Sequence, residues 1–363
     1  WKPVAAAASK HYKVYVLTGQ SNSLGTDGGT EVNKLPGLDF ADAQVPFWWH
    51  NVSGDIYGVS ASAGNSIGSS AGFWKTIRAQ PAYTNIYANV ANAWGPEIQF
   101  ARVMFHSGET NIAVIKASRG GGGNSIWSKT NVTDNHMYVH VTNTVISACN
   151  RLTADGHTFE IAGLLYLQGE SDSAAEQAIA GQRFKDLVDN LRTDLPSAGA
   201  MKGYMLGNIA VAATRANQES IAAANPSYLS YGDILDLSDE LVSDNLHHNR
   251  KAKLVDGARF AQLVLGQAAN FNAAAGFGPV YGQQFGSLAA GNIPLTNLTA
   301  VLSGNSPQLQ GWSEEPALRD DIATIATNQS AASIVDSGTP AWNITDNDTT
   351  GSAYFYSRRF TGT

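Results

Sequence analysis

Apolar residues fall in short runs along this chain, separated by polar and glycine-rich stretches. Tyr12, Val14, Tyr15, Val16 and Leu17 form the first run, rich in aromatic and β-branched residues. Such a run predicts a strand buried on both faces. Similar runs near 111–117, 161–167, 203–209 and 232–237 predict further strands. Helical spacing occupies the intervals near 97–107, 136–152, 173–195, 215–224 and 250–268. In the third of these Ala178, Phe184, Leu187, Val188 and Leu191 share one face. Strands alternating with helices predict a parallel sheet covered on both sides.

Two regions depart from that alternation. Residues 26–92 form a long insert rich in Gly, Ser and Asn that carries Phe47, Trp48, Trp49, Phe73 and Trp74. A long loop in an enzyme often shapes a cleft, and aromatic faces stack on sugar rings. For any single Trp, packing against the core is the stronger expectation. After Asn270 the helical patterns fade, and short β-like runs appear at Ala332–Val335, Ala341–Ile344 and Tyr354–Phe360. This predicts a domain over 1–270 and a β-rich segment over 271–363. The last runs read as the opening strands of a β-sandwich that continues beyond Thr363, with packing onto the first domain as the alternative.

Composition narrows the function classes. The chain has 363 residues and a formal net charge of −7, which argues against nucleic acid as a partner. No apolar run approaches the ~18 residues a membrane helix needs. A single cysteine, Cys149, excludes an internal disulfide. His136 and His140 stand one helical turn apart without a nearby carboxylate, and are read as surface or core residues rather than metal ligands. No metal or other cofactor is expected. Trp1-Lys2-Pro3 and Ala5 to Ala8 read as a processed N-terminus.

Candidate chemistry lies at the predicted strand ends, where open α/β sheets bind ligands. Gly19-Gln20-Ser21-Asn22 follows the first strand. Ser21 there reads either as a helix cap or as a nucleophile, and a serine nucleophile needs a base. Ser118-Arg119-Gly120-Gly121-Gly122-Gly123-Asn124 follows the second strand. It lacks the Gly-Lys-Ser/Thr ending of a phosphate loop, and its backbone N–H groups suit an oxyanion. Gln168-Gly169-Glu170-Ser171-Asp172 follows the third; the Gln168 amide suits the same task. Asp172 reads as a helix cap and Glu176 as a solvated first-turn acid. Asp244 precedes His247 by three residues, a spacing that lets the carboxylate hold the imidazole in one tautomer. His248 is the rival base.

These four blocks, in this order, resemble the SGNH hydrolase superfamily. More narrowly they resemble its carbohydrate esterase branch of sialate O-acetylesterases and acetyl xylan esterases. Trp94-Gly95-Pro96-Glu97 and Arg215-Ala216-Asn217-Gln218 add to the likeness, which spans roughly residues 11–268. The resemblance implies a three-layer α/β/α fold with a central parallel sheet. It implies Ser21 as nucleophile, His247 as base in preference to His248, and Asp244 or Glu170 as the acid. It also implies oxyanion donors from Ser21, Gly120 or Gly121 (with Gly122 also open) and Gln168. Gln20, Asn22, Trp127 and Arg215 are the expected substrate contacts. Asp244 is the expected partner of the His247 ring, with Glu170 in support through Arg215 or a backbone N–H.

The activity so implied is removal of O-acetyl groups from a polysaccharide, oligosaccharide or sialic acid, in a secreted or periplasmic setting. The competing readings are a non-catalytic carbohydrate-binding protein and a lipase- or thioesterase-type hydrolase. The first has no need of an activated serine. The second lacks support, because no apolar lid-like segment is present.

Overall fold

The computed structural model describes residues 9–26, 39–54, 56, 65–84, 89–131, 136–266, 293–294, 333–336 and 342–344. The chain divides into two units, one of residues 1–33 and 41–273, the other of 34–40 and 274–363.

The first unit is built on a sheet whose central strands are buried on both faces. In chain order the strands of the unit are β1 (His11–Gly19), β2 (Pro46–Val52), β3 (Ser66–Ser69), β4 (Lys75–Thr76), β5 (Gln80–Thr84), β6 (Asn89–Ala93), β7 (Ile112–Lys116), β8 (Thr158–Leu167), β9 (Lys202–Leu206) and β10 (Leu229–Gly232). The central sheet runs β10-β9-β8-β1-β7-β2-β3, with β4 on β2. Its pairs from β10 through β2 are all parallel, while β3 and β4 pair antiparallel to β2. β5 and β6 form a separate hairpin.

Helices α1 (Ser21–Leu24), α2 (Glu97–His106), α3 (Met137–Ala154), α4 (Ala174–Gln177), α5 (Ala180–Asp194), α6 (Ala212–Ala224) and α7 (Arg250–Val264) complete the unit. Side chains alternate across β1. Val14 and Val16 pack in the cluster holding Val141 and Val145 of α3 and Phe184 and Leu187 of α5. Tyr15 points the other way and meets Phe100 of α2 edge-on, with ring centroids 5.1 Å apart. A parallel sheet buried on both sides needs near-continuous apolar strands, which is why β1, β7 and β8 stand out in the sequence. The sheet covered on both faces that the pattern predicts, and the α/β/α layering that the resemblance implies, are present.

Several expectations need correction. Residues 235–237 form a 3₁₀ turn, and the last strand of the sheet is instead Leu229–Gly232. The helix expected over 173–195 is two helices, separated near Ile179. The insert is not wholly a loop. Its Phe47, Trp48 and Trp49 lie in β2, which pairs with β7, and all three are buried. Trp74 donates its indole N–H to Ala148 O, and Phe73 is exposed under the cations of Lys75 and Arg151.

In the second unit the strands Ile293–Pro294, Ser333–Asp336 and Trp342–Ile344 form a small antiparallel sheet. The run expected at Tyr354–Phe360 lies outside the described residues.

Candidate active site

β1 lies between β7 on one side and β8 on the other. A crevice at the C-terminal ends of strands forms at such a switch point. β1 ends at Gly19, whose φ is +145° and whose hypothetical Cβ would lie 1.9 Å from Leu167 O. Only glycine fits there. The backbone passes β8 at contact distance, Gln20 N–H donates to Leu167 O, and Ser21 opens α1. Ser21 is 4% exposed at this turn.

The buried floor of the turn is ionic. Lys116, fully buried at the end of β7, donates to Leu24 O at 2.9 Å and to Gln80 Oε1 at 3.0 Å. Its ammonium lies 2.9 Å from Glu97 Oε2, at the start of α2. Lys253 of α7 donates to Gly25 O at 2.8 Å and lies over the Trp94 ring. Two cations thus satisfy carbonyls at the C-terminal end of α1, where the helix dipole favours positive charge. The sequence carried a signal for this network that the motif reading passed over. A lysine within the apolar run 112–117 needs a buried anionic partner.

Across the crevice, residues 243–249 wrap around two carboxylates. Asp244 Oδ1 accepts the backbone N–H groups of Leu246 and His247, both at 2.9 Å. Its Oδ2 lies 2.6 Å from His247 Nδ1. This is the contact a protonated Nδ1 makes, and it leaves Nε2 to take a proton. Partial burial pushes the Asp244 carboxyl up, but the His247 ring and those N–H groups outweigh it and hold it below the usual range. His248 faces inward, its Nδ1 2.6 Å from Asp256 Oδ2 of α7. The two adjacent histidines therefore occupy separate carboxylate pairs.

Glu170 is half-buried with its Oε2 shielded from solvent, and its Oε1 accepts from Asn22 Nδ2 at 2.6 Å. Burial pushes this carboxyl above the usual range despite Asn22, its own N–H and the nearby histidines. The support expected through Arg215 is absent. Arg215 donates instead to Asn208 O and Ile209 O in the β9–α6 loop.

Other expected contacts are redistributed. Asn22 is 1% exposed and spends its amide on Glu170, Leu246 O and the His248 N–H. Gln20 is equally buried, and its Oε1 receives the N–H of Ser171 at 3.3 Å and of Gly169 at 3.5 Å. Trp127 is wholly buried, with Nε1 donating to Thr18 Oγ1 at 3.0 Å. Gln20 Oε1, Asn22 and Trp127 Nε1 are thus taken up by protein partners.

Gln168 is held inward as well. It is fully buried, and its Nε2 donates to Asp172 Oδ1 at 2.7 Å. Asp172 does not cap α4; Ser173 does, in a reciprocal box with Glu176. Asp172 accepts instead from the Asn124 N–H at 2.8 Å and the Asn124 amide at 2.9 Å. Glu176 also takes the Ser125 N–H at 3.0 Å. Both acids thus tie the glycine loop to the segment that follows β8. That loop leaves β7 beside the serine turn, since Arg119 N–H donates to Gly19 O at 3.1 Å. Gly120, Gly121 and Gly122 are half-buried there, the latter two at positive φ.

Among the described residues no group of three or more His, Cys, Asp or Glu is arranged to hold a metal, and no helix is long and apolar enough to cross a membrane.

Known proteins place this arrangement in context. Residues 11–266 match the model of a family described as carbohydrate esterase, sialic acid-specific acetylesterase. No curated protein matches the chain. A protein of Arabidopsis thaliana solved at 1.6 Å is 20% identical with a TM-score of 0.51, covering 71% of this chain and 99% of that one. It shares the fold. A carbohydrate acetylesterase from Xanthomonas citri is 14% identical, with a TM-score of 0.44 over 70% of this chain and 57% of that one. NanS is 16% identical, with a TM-score of 0.43 over 72% and 98%.

Proposed function

We propose a mechanism and a substrate class from the premise that this chain belongs to the carbohydrate esterase family of sialic acid-specific acetylesterases and is a carboxylic ester hydrolase. The enzyme removes O-acetyl groups from a carbohydrate through an acetyl-Ser21 intermediate. The single observation that carries this reading is the 2.6 Å contact of Asp244 with His247, in a loop held by the residue next to Ser21.

In the first half-reaction His247 Nε2 takes the Ser21 hydroxyl proton as Oγ attacks the acetyl carbonyl. Asp244 keeps the proton on Nδ1 and stabilises the imidazolium. Charge on the carbonyl oxygen is met by backbone N–H groups of Ser21 and of Gly120 or Gly121. Collapse breaks the carbon–oxygen bond to the sugar, whose oxygen leaves with the proton from His247. In the second half His247 deprotonates a water, which attacks the acetyl-enzyme and releases acetate and free Ser21.

An acetylated carbohydrate outside the cytoplasm is the proposed setting. Release of 4-nitrophenol from its acetate ester, with Ser21→Ala as control, tests the nucleophile. The variant should fold and lose about 10⁶-fold in kcat; near-native turnover would remove Ser21 from the mechanism. Acetylated xylan, acetylated sialic acid and a short acyl thioester, assayed side by side, identify the sugar. Turnover of the thioester alone would defeat the carbohydrate reading.

A further inference from the structure

His248 is not needed by the mechanism above, yet it is more deeply buried than His247. Its side chain and that of Asp256 are both wholly buried, 2.6 Å apart. Its backbone N–H donates to Asn22 Oδ1 at 2.9 Å. The same Asn22 amide donates from Nδ2 to Glu170 Oε1 at 2.6 Å. One buried amide thus joins the peptide of His248 to the carboxylate of Glu170.

Three atoms of this group have no hydrogen-bond partner among the described residues: Glu170 Oε2, His248 Nε2 and Asp256 Oδ1. Buried polar atoms left so are costly. Mutual electrostatics can offset that cost at short range in a low dielectric. We propose that His248 is a positioning residue for the esterase: held as an imidazolium by Asp256, it keeps the half-buried Glu170 ionised, and so keeps the Asn22 amide clamped behind His247. This rests on the Ser21–His247 reading of the site.

The charges fit. With both acids ionised, Asp256 and Glu170 would balance the charges of His248 and Lys253, the groups whose fields reach the His248 ring. Burial alone would lower the His248 pKa. Asp256 and Glu170 outweigh both burial and the like charge of Lys253, so it is raised. Glu170 feels the opposite balance: burial raises it, while Asn22, its own N–H, His248 and His247 oppose that rise. Tyr166 also lies within the field of Glu170. Were Glu170 neutral, the Asn22 Nδ2–H would lose its charged acceptor, and the grip on residues 246–248 would weaken.

Histidine ring resonances of the full-length protein, labelled with ¹⁵N and assigned by substitution, test this without reference to activity. His248 should carry both ring protons at pH 7, and Glu170→Gln should lower its titration midpoint. A neutral His248 at pH 7, or a midpoint unmoved by Glu170→Gln, overturns the proposal. In kinetics, His248→Gln should move the acid limb of kcat up by about one pH unit, a roughly tenfold loss on that limb, with KM little changed. The shift should vanish in a Glu170→Gln background. A shift that persists there would show that His248 acts by another route. If His248→Gln fails to fold, Asp256→Asn serves, with the same expected direction. Failure of the nucleophile reading is separate: Ser21→Ala would then keep turnover while the His248–Glu170 coupling persists.

Discussion

Asn22 grips the backbone on both sides of His247. Its Nδ2 donates to Leu246 O at 3.2 Å, and its Oδ1 accepts from the His248 N–H at 2.9 Å. Because Asn22 follows Ser21 directly, the imidazole loop is indexed to the serine turn by one side chain, although the two lie 226 residues apart. Asn22→Ala should therefore loosen the site and leave the Glu170 carboxylate without its donor. A stability loss of about 3 kcal/mol in urea unfolding is expected, from removing a charge-assisted bond in the interior. A fall in kcat should accompany it in the fraction that folds. Wild-type stability would show that the clamp carries no energy.

Asp244 is the acid in contact with the His247 ring, its Oδ2 2.6 Å from Nδ1. Asp244→Asn should cost about 10⁴ in kcat with the fold intact, because the imidazole loses the carboxylate that fixes its tautomer. Glu170→Gln should cost far less, since it touches Asn22 rather than the ring. Both variants assayed on one acetyl ester decide the matter. A dead Glu170 variant beside an active Asp244 variant would reverse the assignment.

Gln168 is expected to matter for structure more than for transition-state charge. Gln168→Ala removes the donor to Asp172, which holds Asn124 in the glycine loop. The loss should be about 2 kcal/mol in stability, with kcat reduced less than about tenfold. A loss of about 10²–10³ in kcat at unchanged stability would restore the amide as an oxyanion donor.

Lys116 and Glu97 form an ion pair with both side chains wholly buried. Lys116→Met should destabilise by about 3–5 kcal/mol, because it strands the Glu97 carboxylate and uncovers Leu24 O. Adding Glu97→Gln should recover part of that loss. Equal stability of the single and double variants in denaturant titrations would show that the stranded charge is not the cause.

Two pKa shifts give opposite pH dependences. His248 is raised in the fold above its ordinary value of 6.5, so its stabilisation is fully present below that pH. It is lost as pH rises through the folded value, and His248→Gln should flatten the stability profile there. Asp244 is lowered from 3.8, so its contribution is present above that pH and lost as pH falls through the depressed value. Asp244→Asn should flatten the acid side instead. Profiles unchanged by either substitution would contradict the assigned partners.

How much of this was legible in the sequence follows from the range of each interaction. Apolar strand runs marked the sheet because a strand covered on both faces must be apolar throughout, as in Ile112–Val114 and Leu164–Leu167. The contact of Asp244 with His247 was legible because three residues of loop bring the two together. The partners of Asn22, Gln20, Gln168 and Trp127 were not. Asn22, Gln20 and Trp127 look like substrate contacts in a motif and Gln168 like an oxyanion donor, yet folding turns them inward onto partners such as Leu246, Ser171, Thr18 and Asp172. Nothing local separated His248 from His247 beyond the Asp244 spacing, and Asp256 declares itself only when α7 docks. The sequence by itself determined which residues could carry charge, donate protons or turn the chain. The tertiary structure alone decided which of them meet, because a buried polar group is fixed by partners that the fold brings from distant parts of the chain.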